Sequence, residues 1–484
     1  MNPLHSLQPQ AVWQWFADIC AIPHPTYQEA ALAEMIVARA KEKGLAVQQD
    51  EKGNIYIRKP AQGAGMADKP GVILQGHIDM VAQKTPDSPH DFATDPIRPQ
   101  IIDGWVHATQ TTLGADNGLG SAMGLAVAFA DDIEHPPLEV LLTVEEEIGM
   151  DGARQMRGDL LQGRYLINLD TEEAGCVYVG CAGGRDADLS LPFATEAAEG
   201  QHVRITVSGL LGGHSGIDIH RGHGNAIKVL ADLLARLPEE SGWRLAVFHS
   251  GALRNVIPSE AEAEIVLPQA FVGALAELAD TVRAETQNEL GKFADKLAIQ
   301  VAPLGQGAQA AGHAESRRMI DLLAAVPSGV LKWSEEFDGV VDTSNCLSVV
   351  HTKDGKFTAS MLLRSLRERP KDDFCRLLGS IARLSGATLH TEQDYTGWEP
   401  HMSSALLQKT IESFAAVRGQ QPQIEVVHAG LECGLMQKHL PHTEMISFGP
   451  TIKGAHSPKE RVQIDTVEAV SYTHLRAHET VLDL

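Results

Sequence analysis

The sequence predicts an α/β fold carrying an inserted α+β domain, and three observations support this. Four short apolar runs, 71–75, 138–144, 165–169 and 444–448, lack strict alternation, as strands buried on both faces of a largely parallel sheet do. They are interleaved with helical patterns such as 119–130. Between about 190 and 398 the character changes to a different succession of strands and helices. A chain of 484 residues is too long for one core. The expected organisation is therefore a sheet domain made of 1–189 and 399–470, interrupted by an inserted domain at 190–398.

In chain order, Thr26 and Glu29 have the spacing of a capping box ahead of an amphipathic run at 30–43, which Gly44 stops. Short strands around Lys52-Gly53-Asn54 come next, then the strand 71–75. Within the insert the pattern predicts a strand at 202–208, a helix at 226–237, strands at 245–249 and 260–267, a helix at 271–290 and a strand at 298–303. A comparable succession follows: helix 315–325, strands 329–333, 346–351 and 358–363, helix 372–384 and strand 388–391. These read as two β-α-β-β-α-β halves of ferredoxin-like type, with Trp398-Glu399-Pro400 as the return linker. The tail 471–484, SYTHLRAHETVLDL, does not continue the preceding pattern and resembles a translated adapter scar. It is set aside as a doubtful terminus, and its helix-spaced His474 and His478 are not expected to be ligands.

The charge balance, 40 Lys and Arg against 63 Asp and Glu, gives −23 and argues against a nucleic acid or an anionic membrane as partner. The opening stretch MNPLHSLQPQAVWQWF lacks a basic region followed by an apolar core, so no secretory signal is expected. The longest apolar runs, such as 122–130, fall well short of the roughly 20 residues that span a bilayer. Cysteines 20, 176, 181, 346, 375 and 433 are scattered, which suits reduced thiols in a cytoplasm. Cys176 and Cys181 are too widely spaced for a zinc knuckle and read as packing residues.

Ligands of open α/β sheets collect beyond the carboxyl ends of the strands. Here those ends lead into Gly76-His77-Ile78-Asp79, into Glu145, Glu146 and Glu147, into Asp170, and through Gly449-Pro450 to His456. The loop Gly114-Ala115-Asp116-Asn117-Gly118 opens the helix from Leu119. Each residue alone is an ordinary solvated loop residue, but five such segments converging on one edge are not explained that way. Imidazole and carboxylate without thiolate suit divalent zinc, cobalt or manganese. The surplus of carboxylates favours two ions over one, since a single ion would leave buried charge uncompensated at several kcal/mol per group. Such a pair acidifies a bound water and polarises a carbonyl or phosphoryl oxygen. The residues do not settle which glutamate is a ligand, because a shift of one position turns a side chain to the other face.

The motifs GHIDM, LGADNG, EEEIGMDGA, LINLD and GAHSPKE, in this order, resemble the co-catalytic zinc peptidases of the carboxypeptidase G and peptidase T kind. LLGGHSGIDIHRGHGNA, ALRNVIPSEAEA, MLLRSLRE and HAGLECGL are similar to the aminoacyl-histidine dipeptidase subfamily, also called cytosolic non-specific dipeptidases. The resemblance runs from about residue 5 to 470. It implies a catalytic sheet domain and a lid made of the insert. His77, Asp116 and Asp170 would hold one metal, and Asp116 (bridging), Glu147 and His456 the other. Asp79 would orient His77, Glu146 would be the general base and Glu145 a support, where relatives carry aspartate. His214 would stabilise the oxyanion, Asn255 and Arg364 would bind the substrate carboxylate, and Glu432 would line the specificity pocket. His220 and His223 read as surface residues.

The implied activity is hydrolysis of dipeptides with a free amino terminus, including Xaa-His pairs, by a metal-bridging hydroxide. The metal would be zinc, with cobalt or manganese as substitutes, the partner a small peptide and the assembly a homodimer. Sibling activities of the same resemblance are tripeptide aminopeptidase, carboxypeptidase and N-acyl amino-acid deacylase; a non-catalytic binding protein is the alternative from another class.

Overall fold

In the structure, a computed structural model, residues 2–480 are described, with the backbone alone at 472 and 474–480. The chain divides into two compact units. The first comprises residues up to Cys181, Trp398–Val426 and the chain from Leu431 on; the second comprises Ala182–Gly397 and Val427–Gly430.

The first unit is built on an eight-stranded sheet in the order Ala46–Gln49, Ile55–Lys59, Leu138–Thr143, Val72–His77, Tyr165–Asn168, Glu444–Ser447, Cys176–Cys181 and Gln423–Val427. Its parallel part is the central four strands, with Val72 opposite both Leu138 and Tyr165, and Glu444 opposite Tyr165. The flanking strands Ala46–Gln49, Ile55–Lys59 and Cys176–Cys181 join antiparallel. Every residue of Val72–His77 and Leu138–Thr143 is buried, which is why these runs do not alternate. The helix Ala115–Phe129 is buried almost all round, so it too lacks a polar stripe. Within it Gly120 is obligatory, since a Cβ there would lie 2.4 Å from the Leu169 carbonyl oxygen and 2.6 Å from Asn117 Oδ1. A four-stranded sheet, Ile452–Lys453, Arg461–Gln463, Trp105–Ala108 and Pro99–Ile102, completes the unit.

One local expectation is corrected by the structure. The helix Ala30–Glu42 ends with Gly44 at φ 79°, as its sequence suggests, but it has no capping box. The Thr26 hydroxyl instead donates to Asp79 Oδ2 at 3.0 Å, and Glu29 accepts from the amides of Tyr27 at 3.1 Å and Glu145 at 3.2 Å. Both side chains are recruited by the strand ends, where buried charge rewards a hydrogen bond more than a helix terminus does. The tail 471–484 is described only as far as Thr480. The helix Ile464–Thr480 includes residues 471–480, while the side chains of His474 and His478 lie outside the described residues.

The second unit is built on a nine-stranded sheet, with a separate two-stranded ribbon of Gly213–His214 and Val256–Ile257. One half runs Thr195–Ser208, Ala226–Ala235, Arg244–Ser250, Ala261–Leu267, Val272–Leu290 and Ala298–Ala311, contiguous in sequence and with ferredoxin-like strand order. The other half takes its first strand from Gly183–Pro192 and continues only with His313–Ala325, Val341–Lys353, Lys356–Ser365, Glu368–Ser385 and Thr388–Tyr395. The contiguous half is thus inserted into its sibling. They join edge to edge where His249 and Ser250 face His351 and Val350. Gly183–Pro192 is absent from the sequence-based element set because its outward residues Asp186 and Asp188 break up the apolar pattern. Arg254 compensates them, at 3.3 Å from Asp186 and 2.8 Å from Asp188. Leu189, Ile205, Leu230, Trp243, Phe248, Ile265, Phe357 and Leu363 share the core of this unit.

None of the six cysteines is in a disulfide, and Cys176 and Cys181 are buried, as packing residues are. Among the described residues no helix is long and apolar enough to cross a membrane.

Gly120→Ala should lower stability by about 1–3 kcal/mol through overpacking against Leu169 and Asn117. Gly273→Ala, in a helix with nothing within 4 Å of the added carbon, should raise it by up to about 1 kcal/mol. Thermal melts of the two variants beside the parent chain check both signs.

Candidate metal centre

The carboxyl ends of the central parallel strands bring the expected ligands of the first unit together. His77 ends its strand, Asp170 lies two residues beyond Tyr165–Asn168, and Glu146 and Glu147 follow Leu138–Thr143. His456 is carried by the loop of the hairpin Ile452–Lys453 and Arg461–Gln463. Three groups of possible ligand atoms lie within 4.8 Å of one another: His77, Asp116 and Asp170; Asp116, Glu147 and His456; and His77, Glu146 and Glu147. The first two groups are the two sets that the resemblance implied, and Asp116 belongs to both. Its Oδ1 is 3.3 Å from His77 Nε2 and its Oδ2 is 3.1 Å from His456 Nε2. Asp170 Oδ1 lies 3.3 Å from His77 Nε2, and Glu147 Oε2 lies 3.0 Å from His456 Nε2. His456 sits at φ 59° and Glu145 at φ 54°, left-handed conformations that non-glycine residues adopt where the surroundings impose them.

Asp79 organises this edge. Its Oδ1 is 3.2 Å from His77 Nδ1, leaving Nε2 to face the carboxylates. The same carboxylate accepts from the amides of Glu146 at 3.0 Å and Glu147 at 3.2 Å. One buried group therefore sets both the imidazole and the backbone of two glutamates. The third glutamate, Glu145, is separate: its carboxylate pairs with Lys52 Nζ at 2.5 Å.

The electrostatics show a cluster with more negative charge than the protein itself neutralises. Burial, reinforced by repulsion from Asp170 and Glu147, pushes Glu146 well above the usual carboxylate range despite His77. Burial raises Asp170 to about 6 and Glu172 to about 8, with Asp116 adding repulsion in both cases. Asp116 is desolvated too, though not fully buried, yet hydrogen bonds from His456 and His77 hold it well below the ordinary value. Those bonds, with one to Glu147, raise His456 to about 11, and neighbouring carboxylates carry His77 well above its ordinary value against its burial. Glu147 Oε1 and Asp170 Oδ1 are buried without a hydrogen-bond partner. Imidazole and carboxylate donors, positive charge drawn to two points, and orphaned oxygens in both ligand sets fit two divalent cations.

Three further carboxylates surround the cluster. Glu432, expected on a specificity pocket, is fully buried and accepts from Gln75 Nε2 at 2.7 Å and Thr143 Oγ1 at 2.9 Å. These bonds hold it against the strands Val72–His77 and Leu138–Thr143. Sequence reasoning missed Glu172 and Glu460. Glu172 stands two residues past Asp170, and Glu460 closes the GAHSPKE motif four residues past His456. A carboxylate so close to an assigned ligand was the available signal for each.

The second unit gathers the other candidates. His214 pairs with Val256 in a two-stranded ribbon, and the Ser215 amide donates to the Asn255 carbonyl at 2.8 Å. His214 Nδ1 accepts from the amides of Gly216 at 3.2 Å and Ile217 at 3.1 Å, so the ring proton sits on Nε2. Burial, with the positive charge of Arg364, lowers His214 to about 4, which keeps it neutral. Arg364 is buried, donates to the Tyr395 hydroxyl at 3.0 Å, and leaves its Nε without a hydrogen-bond partner. Asn255 is exposed. His220 is exposed as expected, but His223 is buried, its Nδ1 2.5 Å from the Gly212 carbonyl, where it shapes the glycine loop.

The chain is similar to known proteins over nearly its whole length. The chain is 46% identical over 470 residues to the cytosol non-specific dipeptidase of Escherichia coli strain K12, covering 96% of each. The crystal structure of aminoacylhistidine dipeptidase from Vibrio alginolyticus superposes with a TM-score of 0.90 at 43% identity, covering 99% of this chain and 98% of that one. The fold extends to aminopeptidase PepT from Bacillus cereus, with a TM-score of 0.55 at 15% identity over 98% of this chain and 99% of that one. The profile of Peptidase family M20/M25/M40 matches residues 73–480, a span that holds every ligand candidate named above, and the chain belongs to that family.

Proposed function

We propose that the chain is a metal-dependent dipeptidase that hydrolyses dipeptides with a free amino terminus, Xaa-His pairs among them. The observation that carries this reading is Asp116, whose two carboxylate oxygens face different histidines and so belong to two ligand sets at once. The likeness to the cytosol non-specific dipeptidase of Escherichia coli over nearly the whole of both chains supports the dipeptide as substrate. His77, Asp116 and Asp170 would hold one ion, and Asp116, Glu147 and His456 the other. When bound, such a pair supplies an acidified water and a polarised scissile carbonyl; zinc is the proposed metal, and the cytoplasm the proposed compartment.

The chain's own residues do the remaining work. Glu146 is not needed in either ligand set, and its carboxylate lies 3.9 Å from His77 Nε2, at the edge of the cluster. It takes the proton from the attacking water and passes it to the departing amine. Its backbone is fixed by Asp79, so base and ligand keep their relative register. Neutral His214, with its proton on Nε2, is the donor for the oxyanion of the tetrahedral intermediate. Arg364 offers an unpaired, buried Nε for the substrate carboxylate, with Asn255 beside the same ribbon.

Purified protein supplied with zinc, cobalt or manganese should cleave Ala-His and lose that activity to a chelator. Faster cleavage of a tripeptide or of N-acetyl-Ala-His would point instead to a sibling activity, and no cleavage under any metal to a binding protein.

Glu146→Ala should keep its metal content and lose about 10²–10⁴-fold in kcat, whereas His456→Ala should lose metal. Metal analysis with the reverse pattern would move the glutamate register by one residue.

His214→Ala should lower kcat by about 10²–10³-fold at unchanged metal content. A change confined to KM would remove it from the oxyanion.

A further inference from the structure

Glu460 accepts four hydrogen bonds beside the cluster, and every one comes from a backbone amide. It is 3% exposed. Its Oε2 accepts from the amides of Leu113 at 2.7 Å and Gly114 at 3.1 Å, and its Oε1 from those of Ala115 at 2.8 Å and Asp116 at 3.3 Å. These amides open the helix Ala115–Phe129, where no preceding turn supplies carbonyl acceptors, so a buried anion is the group that satisfies them. Asp116 itself has a non-helical backbone, φ −83° and ψ 107°, so helix geometry does not dictate where its carboxylate points.

The origin of Glu460 gives this contact its meaning. It belongs to the loop that carries His456, and that loop is closed on itself by the Glu460 amide to the Ser457 carbonyl at 3.0 Å and the Ser457 hydroxyl to the Gly454 carbonyl at 2.7 Å. One short loop therefore supplies a ligand directly and grips the backbone of another ligand, across 344 residues of sequence. The two ligand sets depend on this grip unequally. Asp116 and His456 make up two of the three members of one set, with Glu147. In the other set only Asp116 depends on it, while Asp79 holds His77 and Asp170 extends from a central strand.

We propose that Glu460 is a positioning residue for the metal centre: it locks the Asp116 loop to the His456 loop and so sets the affinity for the ion of the Asp116, Glu147 and His456 set. This rests on the two-metal reading above. In Glu460→Gln an amide NH₂ replaces one acceptor oxygen and confronts two backbone donors, with the size of the side chain unchanged.

The test is calorimetric titration of zinc into the metal-free full chain. The parent should bind two ions. Glu460→Gln should bind one as the parent does and the other about 10–100-fold more weakly. Ser404→Ala, which removes the hydroxyl cap of the helix Ala405–Arg418, should lower the melting temperature and leave both ions unchanged. If Glu460→Gln does not fold, Glu460→Asp, too short to reach four amides, is read by the same titration. Two parent-like ions in the variant, or both weakened equally, overturns the assignment of Glu460 alone. Fewer than two ions in the parent overturns the two-metal reading and this inference with it.

Discussion

The bonds accepted by the Asp79 carboxylate are the constraint on which the site depends. A carboxylate at 1% exposure is tolerable only when its lone pairs are used, and Asp79 spends them on His77, on the amides of Glu146 and Glu147 and on the Thr26 hydroxyl. Because one group binds all of these, the ring nitrogen of a ligand and the backbone of the proposed base cannot shift independently. A strand end, a loop and the approach to the helix Ala30–Glu42 are thereby held in one frame, and the sheet behind them supplies the rigidity.

Around that frame the chain concentrates carboxylates that it does not neutralise. Three consecutive glutamates illustrate the division of labour: Glu145 is compensated by Lys52 from within the protein, whereas Glu146 and Glu147 face the cluster. Lysine suffices for the first because that pair is partly solvated. The other two lie where repulsion from Asp116 and Asp170 compounds burial, and compensation there calls for charge density that one ammonium does not provide. Folding energy is given up at this edge, and a divalent ion pair returns it as binding energy.

Much of this was legible in the sequence, for identifiable reasons. The apolar runs without alternation marked the central strands, and the converging His, Asp and Glu residues at their ends marked the cluster, because strand topology alone sends those ends to one edge. The choice between Glu146 and Glu147 was not physical inference but resemblance, since a one-residue shift is invisible to composition and periodicity. Three things stayed hidden. Gly183–Pro192 was masked by outward aspartates whose partner, Arg254, is remote in sequence. The expected box of Thr26 and Glu29 was outcompeted by partners more than fifty residues away. Glu460 bonds only to backbone amides, which no side-chain motif records.

The interleaving of the two ferredoxin-like halves has an effect on the order in which the protein can be assembled. Thr195–Ser208 to Ala298–Ala311 is a continuous segment whose four long strands lie side by side, so that part of the sheet needs no strand made later. Gly183–Pro192, made just before it, pairs with Lys356–Ser365 and Thr388–Tyr395 and must wait for them. During synthesis the earlier strand is therefore an open edge beside a finished subdomain. The charged side chains of Asp186 and Asp188, which concealed it from pattern reading, are also what keeps such an edge from recruiting the wrong neighbour.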